Sequence, residues 1–206
     1  MKSYLRFLSR NKLYTAIEVV GLSVALAFVL IIGSYVWQEY SISRENPDYE
    51  RIYIPTQSMP YGIFEPMKEQ IPEIEKITLV NSFDDVVMEC DDERLVTRGL
   101  AVRGDFFDIF DYEFLIGDAG CLESYTDIVI SESYAAKLAG KPELAVGMKI
   151  VPVDYPSQAY TVTGVIKDFD QNYWKYMDFI CKGESPLNDS AQKNPIFTLS
   201  ATAFIK

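Results

Sequence analysis

The 206-residue sequence contains no histidine. That absence removes the side chain whose charge changes near neutral pH. Ser-His-Asp and Cys-His nucleophile pairs go with it, as does the commonest metal ligand. Cysteine is scarce: Cys90, Cys121 and Cys181 are the only three, and none stands in a CxxC pair. Zinc and thioredoxin-type chemistry are therefore not expected. Outside the cytoplasm one pair could form a disulfide and leave an odd thiol, but the spacing supports no bridge, so three buried or half-buried free thiols are expected. Neither GxxxxGK[ST] nor GxGxxG occurs, so the chain has no phosphate-cradling loop of those kinds for ATP. No Pro/Gly/Ser-rich linker, low-complexity tract or internal repeat breaks it. Positive charge is scarce beyond the first segment. Residues 1–38 carry a net +3, which leaves −14 on residues 39–206 of a chain whose total is −11. An acidic region of this kind is repelled by nucleic-acid phosphate and by anionic lipid head groups, so no nucleic-acid partner is expected.

What the sequence does have is a long apolar run. From Val19 to Gln38 there are twenty residues without a charge. At about 1.5 Å per helical residue these span roughly 30 Å, the hydrocarbon thickness of a bilayer. Lys2, Arg6, Arg10 and Lys12 precede the run, whereas Glu39, Arg44, Glu45, Asp48 and Glu50 follow it. Excess Lys and Arg mark the cytoplasmic side, so the N-terminus is expected inside and everything after Tyr40 outside. A cleaved secretory signal has a shorter core and a small-residue exit. This run leaves through Tyr35, Trp37 and Tyr40, bulky aromatics that suit a membrane interface, and residues 13–38 are expected to be an uncleaved transmembrane helix. Residues 1–12 form a basic amphipathic segment. Lys2, Arg6 and Arg10 share one helical face, opposite Tyr4, Phe7, Leu8, Asn11 and Tyr14. Such a segment suits a membrane surface or a cytoplasmic partner, and it equally suits a plain topogenic tail.

Residues 39–206 are expected to be an extracytoplasmic domain. A chain of this length buries roughly 70% of the surface it exposes unfolded, enough for one core or two small lobes. A strand is expected at Arg51–Ile54, ended by Pro55. A helix from Ile63 to Gln70 should stop at Pro72. A strand through Ile74, Ile77, Leu79 and Val80 follows, and Asp85–Cys90 with Arg94–Thr97 reads as a hairpin around Asp91-Asp92-Glu93. Asp105–Phe110 reads as a short helix packed on a sheet, with Phe106 and Phe110 on its buried face. Gly117-Asp118 ends that unit. Asp127–Ile130 reads as a strand, Ser131 as the cap of a helix from Glu132 to Leu138. Strands are expected at Met148–Val153, Tyr160–Ile166 and Ile196–Ile205. Strands and short helices without a regular βαβα period indicate an α+β fold.

Three places resemble chemistry and fall short of it. Ser131 sits at a strand-to-helix junction, but it lacks flanking glycines and has no histidine to activate it. Asp168-Phe169-Asp170-Gln171-Asn172 opens like an EF-hand loop, yet Tyr173 stands where glycine must make the turn and Phe179 where the bidentate Glu belongs. Asp84, Asp85, Glu89, Asp91, Asp92 and Glu93 are acidic neighbours that paired strands would scatter over two faces. No catalytic, cofactor-binding or metal-ligating residue is assigned, and no cofactor.

Several segments, taken in order, resemble the extracytoplasmic core domain of MacB-like ABC transporter permeases, the FtsX-like permeases. They are the basic N-terminus with its single span, Asn46–Tyr53, Ile71–Glu75, Phe106–Phe110 with Phe114–Asp118, Ile128–Leu138, Val146–Ile150 and Tyr160–Asp168. The likeness covers residues 1 to about 170, and the remainder resembles the family loosely. It implies a two-lobed external domain, a porter-like α+β lobe with a mostly β lobe inserted at about residues 113–166. It also implies a permease of the cytoplasmic (inner) membrane that forms homo- or heterodimers and pairs with a cytoplasmic ABC ATPase subunit. ATP turnover at that subunit would move the external lobes in export or mechanotransmission, and a periplasmic adaptor or substrate protein is a further implied partner. The family has four spans where this chain shows one, so truncation before the remaining helices is expected. The alternative function is a single-pass extracytoplasmic binding or sensor module.

Overall fold

A computed structural model of the chain describes residues 12–41, 48–56, 59–60, 64–91, 93–168, 174, 176–183 and 200–206. The amphipathic segment 1–11, most of the EF-hand-like stretch (169–173) and the start of the last expected strand (196–199) lie outside the described residues. The chain divides into two units, residues 1–45 and 46–206.

The first unit is helix α1, Lys12–Ser41, 30 residues long. Its apolar side chains are exposed on every side, from Leu13 to Trp37. A helix that is apolar all round has no solvated face and requires an apolar surrounding. Lys12–Tyr40 is long and apolar enough to cross a membrane. Its two serines are satisfied within the helix, Ser23 Oγ donating to Val19 O at 2.7 Å and Ser34 Oγ to Ile31 O at 2.8 Å. Such bonds spare hydroxyls an unpaired place in hydrocarbon.

The second unit is an α+β domain. In chain order it contains β1 (Met59–Pro60), α2 (Phe64–Gln70), β2 (Ile77–Cys90), β3 (Glu93–Gly104), α3 (Phe106–Ile109), β4 (Phe114–Ile116), β5 (Asp127–Ser131), α4 (Glu132–Ala139), α5 (Pro142–Ala145), β6 (Lys149–Pro152), β7 (Tyr160–Ile166), β8 (Phe179–Lys182) and β9 (Ser200–Ile205). The sheet runs β1-β9-β2-β3-β8-β5-β7-β4, and β6 bridges β7 and β2. β3/β8 and β5/β7 are parallel and the other pairs antiparallel.

The pairings close a ring of six strands, β2-β3-β8-β5-β7-β6, because β6 pairs Lys149 and Ile150 with β7 and then Val151 and Pro152 with β2. Each of the six strands sends side chains into one core, among them Met88, Ala101, Phe179, Ile128, Val162 and Ile150; α4 and α5 add Tyr134, Ala135 and Ala145. The alternate side chains form a second core. Leu100, Val102, Val129, Ile180 and Phe204 meet Phe106, Ile109 and Phe110 of the α3 segment. This is the period-2 alternation of a sheet covered on both faces.

Two expectations change. The strand expected through Ile74–Val80 begins only at Ile77, and it and Asp85–Cys90 are not two strands but parts of one, β2, whose register shifts between Phe83 and Val86. Asp85 takes φ 57° there. A bulge bends a strand and sharpens its twist, so one β2 edge serves β9 at Ile77–Val80 and β6 at Met88–Glu89. Arg51–Ile54 is not a strand: Tyr49–Arg51 is a 3-10 turn, and Tyr53 alone bridges to Ile205. Pro55 has no N–H to extend that ladder. The 113–166 stretch supplies β4 to β7, all in the common sheet. β8 was not expected at all: four residues buried on both faces show no alternation to read.

Candidate functional site

The N-terminus of α4 is held by two acceptors. Ser131, 1% exposed at the end of β5, accepts a hydrogen bond from Tyr134 N at 3.2 Å. Asp168 Oδ1, beyond the end of β7, accepts from Ser133 N at 2.9 Å. A carboxylate here satisfies an orphan helix donor and sits at the positive end of the helix dipole. Ser131 is thus the cap that the sequence indicates, and Asp168 is a second one. Just before β8, Asp178 ties three elements together. Its Oδ2 accepts from Arg98 N at 2.9 Å, its N–H donates to Arg98 O at 2.7 Å, and its carbonyl accepts from Ser131 N at 2.9 Å. Lys137 Nζ lies 3.8 Å from Asp178 Oδ1.

Beside these residues opens a groove of about 490 Å³, lined by Asp85, Val96, Thr97, Arg98, Ser133, Lys137, Asp168, Tyr176, Met177 and Asp178. The bulge at Asp85 and the parallel step from β3 to β8 shape it. The acidic hairpin residues are drawn apart: Arg94 Nε binds Glu89 at 2.6 Å, Arg98 Nε lies 3.6 Å from Asp84, and Asp85 faces the groove. Among the described residues no three His, Cys, Asp or Glu side chains gather as metal ligands.

A second polar cluster lies where the domain begins. Asp48 accepts a hydrogen bond from the Lys206 side chain, and that bond, with Arg51 nearby, holds its carboxyl below the usual carboxylate range. Arg51 also pairs with Glu75. Tyr53 N donates to Ile205 O at 2.8 Å and Ile205 N to Tyr53 O at 3.0 Å, while Lys76 and Lys206 exchange backbone bonds at 2.9 and 3.0 Å. Residues 48–53 are therefore fastened directly to the end of β9.

Among the described residues burial raises the ionisation of the cysteines it shifts, the opposite of what activates a thiol. Burial pushes the Cys181 thiol up to about 11 despite a hydrogen bond with Tyr160. Burial, with Asp91 and Glu93 beside it, also raises Cys90. All three cysteines are unpaired. Tyr134 is 1% exposed, and its buried hydroxyl has no hydrogen-bond partner among the described residues; burial first, then Asp178 and Cys90, pushes its ionisation up. The phenylalanines of α3 are core. Phe106 packs 5.1 Å from Phe110, and Phe110 meets Trp174 at 4.9 Å and Phe204 at 5.2 Å, ring centre to ring centre. Trp174 and Phe204 arrive from distant positions, and no local pattern announces their place in the cluster.

The described residues thus comprise a helix long and apolar enough to cross a membrane and an α+β domain. The chain belongs to the MacB-like periplasmic core domain family, whose profile matches residues 15–180. It is an ABC transporter permease periplasmic domain, of a family that is generally non-catalytic, and its apolar helix fits an inner-membrane protein. Its fold is similar to a domain of a protein described as a permease from Porphyromonas gingivalis, at 24% identity and a TM-score of 0.66, covering 78% of this chain and 76% of that one. The periplasmic region of MacB from Actinobacillus actinomycetemcomitans aligns at 13% identity and a TM-score of 0.49, covering 73% of this chain and 64% of that one. The extracellular domain of the ABC-type transporter YknZ from Gram-positive bacteria aligns at 12% identity and a TM-score of 0.49, covering 74% of each chain. No curated protein matches the chain.

Proposed function

We propose that this chain is the first helix and external domain of an ABC permease that converts ATP hydrolysis by a partner subunit into movement outside the membrane. One observation carries the reading: the family match runs unbroken from Thr15 in α1 to Ile180 in β8, so helix and domain are matched as one piece. In this reading residues 1–12 lie in the cytoplasm, 13–38 cross the membrane and 39–206 lie in the periplasm, with 113–166 inserted in sequence and built onto the common sheet. The permease is a dimer and itself non-catalytic. Within the domain, the side chain of Asp48 and the backbone of Tyr53 are bonded to the end of the chain at Ile205 and Lys206, a tie that a mechanical role would use.

Two experiments test it. Tagged full-length chain, purified in mild detergent from its native membranes, should bring down a P-loop ATPase subunit and neither bind nor hydrolyse ATP when freed of that subunit. Purification alone, with ATP hydrolysis retained by the chain, overturns the reading. In a background lacking the native cysteines, Ser58→Cys should react with an impermeant maleimide on intact cells and Ser3→Cys should not; the reverse pattern overturns the orientation.

A further inference from the structure

Between Lys12 and Glu39 the chain carries a single charge, Glu18. Its depth in a bilayer follows from the aromatic residues of α1. Tyr14 and Tyr35 are both exposed and stand 21 residues apart, hence about 31 Å along a helix, close to the hydrocarbon thickness of a bilayer. With those rings at the two interfaces, Glu18 lies one turn inside the hydrocarbon. No cation on α1 is placed to meet it. The positions one turn away on either side, where a pair could form within a helix, hold Tyr14, Thr15, Gly21 and Leu22. Lys12 is six residues off, about 9 Å along the axis and about 120° round it. An ionisable side chain at such a depth is costly and typically faces other protein, paired with a group of opposite charge. The same face can be approached closely. Gly21 follows a turn later, with nothing within 4 Å of the place a Cβ would take, so α1 itself makes no demand for a glycine there. Glycine is a poor helix former. With Ala25 a further turn on, it leaves a shallow strip on which another membrane helix can pack.

We propose that Glu18 is the contact point for a different membrane-spanning helix, one that carries a lysine or arginine about one turn inside the same interface. The proposal rests on α1 crossing the membrane, as in the reading above. Charge and symmetry decide the occupant. A second copy of this chain inserts with the same orientation, so its α1 would bring Glu18 to Glu18 at equal depth. It also has no lysine or arginine from Leu13 to Gln38 to offer. The cation therefore comes from another helix, and the strip at Gly21 and Ala25 lets that helix lie near enough for the pair to form.

The test uses the full-length chain, donor-labelled at Ser3→Cys in a background lacking the native cysteines and reconstituted in lipid vesicles. It is titrated with acceptor-labelled synthetic helices of leucine and alanine, about twenty residues long, that carry one lysine, one glutamate or neither a turn from the labelled end. Energy transfer to the lysine helix should saturate, and transfer to the other two should stay at the level of random encounter. Glu18→Leu should weaken binding of the lysine helix roughly 5–30-fold, the span of polar contacts between model membrane helices. Leucine suits both helix and bilayer, so this variant keeps α1 intact. Gly21→Leu should weaken binding too, with Glu18 still in place. Equal transfer to all three helices, unchanged binding in Glu18→Leu, or transfer between copies of the chain that Glu18→Leu abolishes each overturns the proposal. Failure to bring down an ATPase would sink the permease reading and leave this titration standing. Absence of lysine-helix binding in a chain that does bring one down would sink only the pairing.

Discussion

Gly99 stands opposite Phe179 in the parallel β3/β8 pair, and a Cβ there would lie 2.0 Å from the Phe179 ring. The ring is 3% exposed and shares the core of the six-stranded ring, so it has nowhere to move freely. Gly99→Ala should destabilise the domain by about 1–3 kcal/mol, the usual cost of overpacking. Denaturant unfolding of the purified chain measures it, and an unchanged midpoint contradicts the packing described. Asp48 gives a pH prediction. Its folded-state carboxyl titrates below its unfolded value, which is about 4. A depressed carboxylate adds stability above the unfolded pKa and loses it as pH falls through the folded pKa. Melting temperature should therefore drop on acidification below about pH 4, and the drop should be shallower in Asp48→Asn; identical profiles sink the linkage. Cys90 and Cys181, raised by burial, should alkylate slowly with iodoacetamide in the native protein and quickly once it is unfolded. The role of Gly99 was not legible in the sequence, because the ring that demands it comes from eighty residues away.

Helix α4 is legible because its signals are local. Ser131 precedes Glu132 in the first turn, and Gly140 closes the helix at φ 75°. Ser131→Ala should cost about 0.5–2 kcal/mol by the usual range for a lost N-cap. Asp168, a second acceptor 35 residues from the Ser133 N–H it binds, was out of reach of any local pattern. The α3 segment divides in the same way. Its spacing puts Phe106 and Phe110 on one side, and both are buried, at 2% and 5% exposure. Phe110→Ala should cost about 3–5 kcal/mol, the penalty for emptying a buried aromatic site. A melting temperature that matches wild type would return the cluster to the list of exposed binding patches. β2 shows the opposite case: a polar, irregular middle reads as a break between two strands, and only pairing with β3 on both sides of the bulge carries one strand through it.

At the scale of the whole chain, the sequence by itself determined the division into an apolar helix of bilayer length and an acidic α+β domain. Length, charge flanks and apolar content act without reference to any partner, and so did the absence of histidine, which removes a class of chemistry wherever the chain folds. Capped helices and alternating strands were legible for the same reason, since each depends on neighbours within a few residues. Tertiary structure decided what brings distant segments together. β6 closes the strand ring by pairing with β7 and then β2, Asp178 joins β3, β5 and α4, and Lys206 fastens Asp48 across 158 residues. It also decided that β8 pairs with β3 only from Gly99 to Val102 among the described residues, because the extent of a pairing is set by what lies beside a strand, and no periodicity within the strand records that.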